Sequence, residues 1–171
     1  MNVVLVDEHD NEIGVMGKME AHEKGALHRA FSIFIFNDKN EMLIHQRAKS
    51  KYHSGGLWTN ACCSHPLPGE EVLDAANRRL KDEMGFSTAL EHAFSFTYSA
   101  KFENGLTENE FDHVFIGNHS GAIDPNPEEV SDYSYHSIGA IRDMIEKGPG
   151  SFTIWFKLAL PLVEERMLHR N

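Results

Sequence analysis

Between residues 70 and 85 the chain is written as a helix with an abrupt stop. Val72, Ala76, Leu80 and Met84 recur every fourth residue, and Gly85 follows them. That spacing puts all four on one helical face, and glycine readily takes the left-handed conformation that ends a helix. The rest of the chain has a different rhythm. Residues 3–6, 31–36, 42–44, 94–102, 110–116 and 132–136 are short runs of strand character. Asp10-Asn11, residues 37–40 and Asn104-Gly105 supply the turns between them, and 31–36 with 42–44 reads as a hairpin. Residues 47–60 are basic, then rich in Gly and Ser, and read as loop. Two later helices are expected at 138–147, stopped by Gly148-Pro149, and at 152–168, where Pro161 should kink or divide the helix. The predicted class is α/β of the α+β kind: a mostly antiparallel or mixed sheet with helices against it. Regular strand–helix alternation is missing, which argues against a doubly wound Rossmann fold.

A chain of 171 residues predicts a single domain over 1–171 that can bury a core without disulfides. Its two cysteines, Cys62 and Cys63, are adjacent, a spacing that rarely pairs, and a reducing cytoplasm fits. No apolar run reaches the length of a membrane span, and the first residues lack the basic start of a signal peptide. The sequon Asn118-His119-Ser120 is read as chance. With 26 acidic against 16 basic residues the formal charge is −10. Such a chain is a poor partner for nucleic acid or anionic membrane, so an anionic ligand needs a local cluster of cations or a metal. A cytoplasmic protein acting on a small molecule, monomeric or weakly self-associating, is the expectation.

Several groups carry chemistry in principle. Of eleven histidines, His9, His53, His92, His119 and His169 lie in polar or terminal contexts and read as solvated. His22, His28 and His65 lie in segments that can meet in space. Glu108 and Glu110, two apart on a strand, share a face, either at a solvated strand end or converging on a cleft. Three imidazoles with two carboxylates suit Mn²⁺, Zn²⁺ or Fe²⁺ better than a structural zinc site. Glu83, near the end of the helix, is either amphipathic surface or a holder of Mg²⁺ against phosphate oxygens. Arg47, Lys49 and Lys51 form either a solvated loop or a diphosphate clamp. Cys63 reads equally as a nucleophile, a proton donor, a metal ligand or an inert buried thiol.

Three blocks in order then carry a resemblance. Trp58-Thr59-Asn60 through Cys63-Ser64-His65-Pro66, the helical Arg78-Arg79-Leu80-Lys81-Asp82-Glu83-Met84-Gly85, and Thr107-Glu108-Asn109-Glu110 together resemble the type I isopentenyl-diphosphate Δ-isomerases, a family with a Nudix-like fold. The likeness runs from about His22 to Trp155. A Nudix hydrolase helix carries Arg-Glu, one residue, then Glu-Glu before its glycine. Here Arg79 and Asp82 break that carboxylate cluster, which disfavours hydrolysis of nucleoside diphosphate compounds, the alternative reading. Ser64 stands where many relatives have glycine.

The resemblance implies interconversion of isopentenyl and dimethylallyl diphosphate. An unactivated alkene accepts a proton, a tertiary carbocation forms, and a second proton leaves from the opposite face. The family assigns these transfers to Cys63 and Glu110, with Tyr98 beside Glu110 and Trp155 facing the cation. It places one divalent metal, Mn²⁺, Zn²⁺ or Mg²⁺, on His22, His28, His65, Glu108 and Glu110. It places the diphosphate on Arg47, Lys51 and Arg79, with Mg²⁺ bridging to Glu83 and the Cys63 carbonyl. Trp155 reads equally well as core packing.

Overall fold

One strand, β3 (His28–Phe36), organises the molecule. The computed structural model describes residues 1–169. Before β3 come β1 (Asn2–Val6), β2 (Glu12–Gly17) and the short helix α1 (Lys18–Lys24). After it come β4 (Met42–Arg47), β5 (Trp58–Thr59), β6 (Cys62–Ser64) and α2 (Val72–Met84). The chain continues through β7 (Leu90–Lys101), β8 (Thr107–Asn118), β9 (Val130–His136), α3 (Ile138–Lys147) and α4 (Ile154–Leu168).

β3 runs parallel to β8 along its full length, in register from His28 opposite Glu110 to Phe36 opposite Asn118. β3 also pairs with β1 at Leu5 and His28, with β6 through Ser32 and Cys63, and with β4 at Phe36 and Met42. β7 and β8 form a long antiparallel hairpin closed at Asn104-Gly105. β9 and β5 flank β4. The sheet is therefore mixed, as expected, and the parallel β3–β8 pair is its centre.

Alternation along β3 and β8 divides the core. Phe31, Ile33, Ile35 and Phe115 pack with Ala76, Leu80 and Met84 of α2. Phe34, Phe36, Val114 and Ile116 pack on the other side with Phe156, Leu160 and Val163 of α4. The side of β8 that carries Val114 and Ile116 also carries Asp112, Glu110 and Glu108 towards its start. The acidic side chains and the α4 contacts thus share one face of the sheet, apolar at one end and acidic at the other.

The helix written by Val72, Ala76, Leu80 and Met84 is present and ends at Gly85 with φ 75°. A Cβ there would lie 2.3 Å from the Asp124 carbonyl oxygen, so the turn needs glycine twice over. Three expectations need correction. Pro161 lies inside α4 without dividing it, four residues past a first turn capped by Thr153. Segment 47–60 is not all loop, because Trp58–Thr59 pairs with β4. β2 and α1 carry no clean periodicity and were missing from the sequence reading; β2 is mostly exposed, so no buried face imposes alternation.

Candidate active site

The N-terminal ends of the two parallel strands bring the site together. His28 opens β3 directly opposite Glu110 on β8, and the carboxylate two residues earlier, Glu108, shares the face. α1 delivers His22, whose ring is fixed by its own helix through Nδ1 at 2.6 Å from the Lys18 carbonyl. His65 follows β6. The five ligand atoms of His22, His28, His65, Glu108 and Glu110 lie within 4.8 Å of one another, and all five residues are buried. His22 Nε2 is 2.8 Å from Glu108 Oε1, and His65 Nε2 is 2.7 Å from Glu110 Oε2. His28 Nδ1 lies 2.9 Å from the Ala26 carbonyl, which turns its Nε2 inward, 3.2 Å from Glu110 Oε2. Glu108 Oε2 is buried with no hydrogen-bond partner. Two carboxylates, three oriented imidazoles and an orphaned oxygen fit a divalent cation.

Burial alone would raise the Glu110 carboxyl, but hydrogen bonds from His28 and His65, with their charges, hold it well below the usual carboxylate range. The Tyr98 hydroxyl donates to Glu110 Oε1 from the facing position on β7. Burial, then the Glu110 charge, pushes that phenol well above its ordinary value, so it stays a donor. Burial lowers His65 despite Glu110, whereas for His22 and His28 the acidic partners outweigh burial and raise them.

The adjacent cysteines face opposite ways, as alternation on β6 demands. Cys62 is fully buried on the α2 side and donates to Glu83 Oε2 at 2.8 Å. Cys63 turns to the α4 side. Its thiol donates to Asn60 Oδ1 at 3.1 Å and accepts from Trp155 Nε1 at 3.1 Å. Burial, then the Asp112 charge, pushes the Cys63 thiol up to about 12. Trp155 sits in the first turn of α4, 4% exposed, with the Arg47 guanidinium 5.1 Å from its ring. An inner hollow of about 30 Å³ is lined by Cys63, Tyr98, Glu110, Trp155, Tyr52 and His53, among others.

A larger cleft of about 260 Å³ shares Arg47, Tyr52, Cys63 and His65 with that hollow. Lys18, Lys51, Arg78, Arg79, Glu83 and Glu129 complete its polar wall. Lys51 Nζ donates to Glu129 Oε2 at 2.6 Å, and Arg79 Nη2 stands 3.5 Å from both Glu83 Oε2 and Glu129 Oε1. The Nε atoms of Arg47 and Arg79 are buried without a partner. Burial raises the Glu83 carboxyl although Arg79 opposes it. Of the residues singled out from the sequence, Arg47, Lys51, Cys63, Glu83, Tyr98, Arg79 and Trp155 line one of two joined cavities and the three histidines and two glutamates form the cluster, whereas Lys49 is exposed and lines neither cavity.

Two histidines are placed differently from expectation. His53 is not solvated: it is 6% exposed, stacks on Phe102 with ring centroids 4.5 Å apart, and meets Glu108 Oε1 at 2.5 Å. His119, read as solvated, is half-buried against Phe86 at 3.8 Å. The sequence reading also passed over Lys18, Glu129 and Asp112. Asp112 had a signal, since it continues the alternation of Glu108 and Glu110. Lys18 lies one helical turn before His22, but α1 was not recognised.

The NUDIX domain family matches residues 26–156. The MutT protein of Methanosarcina mazei Go1 superposes with a TM-score of 0.68 at 17% identity, over 81% of this chain and 94% of that one. At that identity the likeness concerns the fold. Isopentenyl-diphosphate Delta-isomerase 2 of Aromatoleum aromaticum is 51% identical over 161 residues, 94% of this chain and 85% of that protein. Isopentenyl-diphosphate Delta-isomerase of Pectobacterium atrosepticum is 51% identical over 163 residues, 95% of this chain and 91% of that protein. The chain belongs to the isopentenyl-diphosphate Delta-isomerase family, built on the NUDIX fold.

Proposed function

We propose that this protein interconverts isopentenyl and dimethylallyl diphosphate, with Cys63 and Glu110 as the two groups that exchange protons with the hydrocarbon. The observation that carries this reading is a thiol and a carboxylate lining one small hollow beside a cationic cleft. One group adds a proton to the terminal CH₂ carbon, and the π electrons form the new C–H bond. The resulting tertiary cation loses a proton from C2 to the other group, and that C–H pair becomes the new double bond. Protons gained and lost balance, the diphosphate is untouched, and the reverse reaction starts from the exchanged protonation states.

The chain's residues divide the remaining work. Tyr98 holds Glu110 from β7, and Trp155 offers an aromatic face to the cation. Lys51 and Arg79, with Lys18 and Arg47, bind the diphosphate, where forked guanidinium donors match phosphate oxygens. Burial and then the Lys51 charge push Lys18 down, so the cations of this cleft crowd one another. Glu83, with the Cys63 carbonyl, is the expected anchor for a diphosphate-bridging Mg²⁺. His22, His28, His65, Glu108 and Glu110 would hold Mn²⁺, Zn²⁺ or Mg²⁺, which when bound tunes the proton affinity of Glu110 and fixes its geometry. The inner hollow is little larger than a water molecule, so the five-carbon chain must displace side chains to enter.

The test is incubation with isopentenyl diphosphate and a divalent metal. The dimethylallyl isomer should form without phosphate release. Phosphate release from nucleoside diphosphate compounds, with no isomer formed, would favour a Nudix hydrolase instead.

A further inference from the structure

Beside Cys63 lies a line of buried polar side chains that neither the proton transfer nor the metal cluster uses. Thr59, Asn60 and Thr153 are all fully shielded from solvent. Asn60 Nδ2 donates to the carbonyls of Ile33 and Cys62, each at 3.0 Å, so both amide protons are spent and the side chain cannot be turned round. Its Oδ1 therefore faces the Thr59 hydroxyl at 2.9 Å and the Cys63 thiol at 3.1 Å. The single hydroxyl proton of Thr59 goes to Asn60, so Thr59 accepts from Thr153 Oγ1 at 2.9 Å. Thr153 is also the N-cap of α4, accepting from the Phe156 amide, while its own amide donates to the Trp58 carbonyl at 3.0 Å. Two residues on, Trp155 Nε1 donates to Cys63 Sγ and closes the ring.

The amide and hydroxyl donor directions in this ring follow from hydrogen-bond capacity, and Ser32 Oγ is a further contact of the Cys63 sulfur at 3.6 Å. α4 otherwise meets the sheet through Phe156, Ala159, Leu160 and Val163, and apolar contact is non-directional. Such contact holds the helix down, and the bond from the Thr153 amide to the Trp58 carbonyl at 3.0 Å ties its start to β5. The hydroxyl line adds a directional side-chain tie from that start to the reacting sulfur.

We propose that Thr153, Thr59 and Asn60 are positioning residues that fix the Cys63 sulfur against the Trp155 ring. The proposal rests on the reading of Cys63 as a proton-transferring group. The line sets the separation between the group that handles a proton and the aromatic face beside the cation. Displacement of a reacting group by about 1 Å costs on the order of 100-fold in rate.

The test compares Thr59→Val, which keeps the shape and loses the hydroxyl, with Thr59→Ser, which keeps the hydroxyl. Both are made in the full chain and assayed metal-loaded with isopentenyl diphosphate. Thr59→Val should lose about 10- to 100-fold in kcat, while Thr59→Ser stays within about threefold of the native rate. KM should hold within about threefold in both, because the cleft cations are untouched. Native kcat in Thr59→Val, or equal losses in the two variants, would overturn the proposal. If Thr59→Val does not fold, Thr59→Ala replaces it, assayed below its melting midpoint and judged by the same outcomes. Failure of the functional reading looks different: native protein without isomerase activity, or Cys63→Ala with full turnover.

Discussion

The adjacent cysteines provide a controlled pair of truncations. Cys62→Ala removes a sulfur from the α2-side core and takes a hydrogen-bond donor from Glu83 Oε2. Lost burial of a methylene-sized group is worth about 1 kcal/mol, and loss of the thiol's hydrogen bond to a carboxylate that keeps Arg79 at 3.5 Å costs about 1–2 kcal/mol more. At about 2–4 °C per kcal/mol for a chain of this size, the melting temperature should fall by about 5–10 °C. Turnover of the folded protein should survive, because nothing lining the inner hollow has changed. Cys63→Ala reverses the pattern. The residue is half-buried in a cavity wall, so stability should change by less than about 1 kcal/mol, while kcat falls by about 10⁴-fold, the upper range for loss of a general acid–base group. Thermal melts and steady-state isomerase assays on metal-loaded protein read both quantities. A dead Cys62→Ala with an active Cys63→Ala, both folded and loaded, would refute the assignment of faces and the mechanism together.

Further outcomes follow from the same geometry. Arg79→Ala should raise KM for isopentenyl diphosphate by about 10- to 100-fold with little change in kcat, as expected for one charged hydrogen-bond donor; an unchanged KM would remove it from the diphosphate clamp. Trp155→Leu should lower kcat by about 10-fold or more through loss of a desolvated cation–π contact, and Trp155→Phe by less. The double variant Glu108→Gln, His65→Ala should lose stoichiometric metal by elemental analysis, and native protein should release its metal in acid because imidazole must be neutral to ligate. His45 gives a pH signature. Burial, then the Arg47 charge, lowers it from the ordinary 6.5 to about 4. Between those values the unfolded chain takes a proton that the folded chain refuses, so stability present above pH 6.5 is lost as pH falls towards 4. Urea unfolding of metal-free protein should show a loss of about 2 kcal/mol from this group between pH 7 and 5, absent from His45→Leu. Parallel pH dependences in the two proteins would contradict it.

The sequence was most informative where periodicity and chemistry coincided. The helix of Val72 to Met84, the α3 boundaries and the Asn104-Gly105 hairpin could be read directly, because buried faces and turn residues enforce them. The convergence of His22, His28, His65, Glu108 and Glu110 could not be read from spacing. It depends on the parallel pairing of β3 with β8, two strands separated by more than seventy residues, and only the family resemblance anticipated it. His53 was misread because its segment is polar and glycine-rich, which predicts a loop correctly. A loop folded over a cavity, however, buries its side chains, and here Phe102 and Glu108 receive His53. Asn60 and Thr153 look like ordinary strand-end and helix-cap residues in sequence, since a hydrogen-bonded ring across three segments leaves no local pattern.

Turnover in D₂O tests proton transfer on the hydrocarbon most directly. With metal-loaded native protein and isopentenyl diphosphate, NMR should show dimethylallyl diphosphate carrying solvent deuterium on the methyl formed from the terminal CH₂. The diphosphate should remain intact, and Cys63→Ala should form product about 10⁴-fold more slowly. Phosphate release without an isomer, or an isomer free of solvent deuterium after a single turnover of fully exchanged enzyme, would contradict the account.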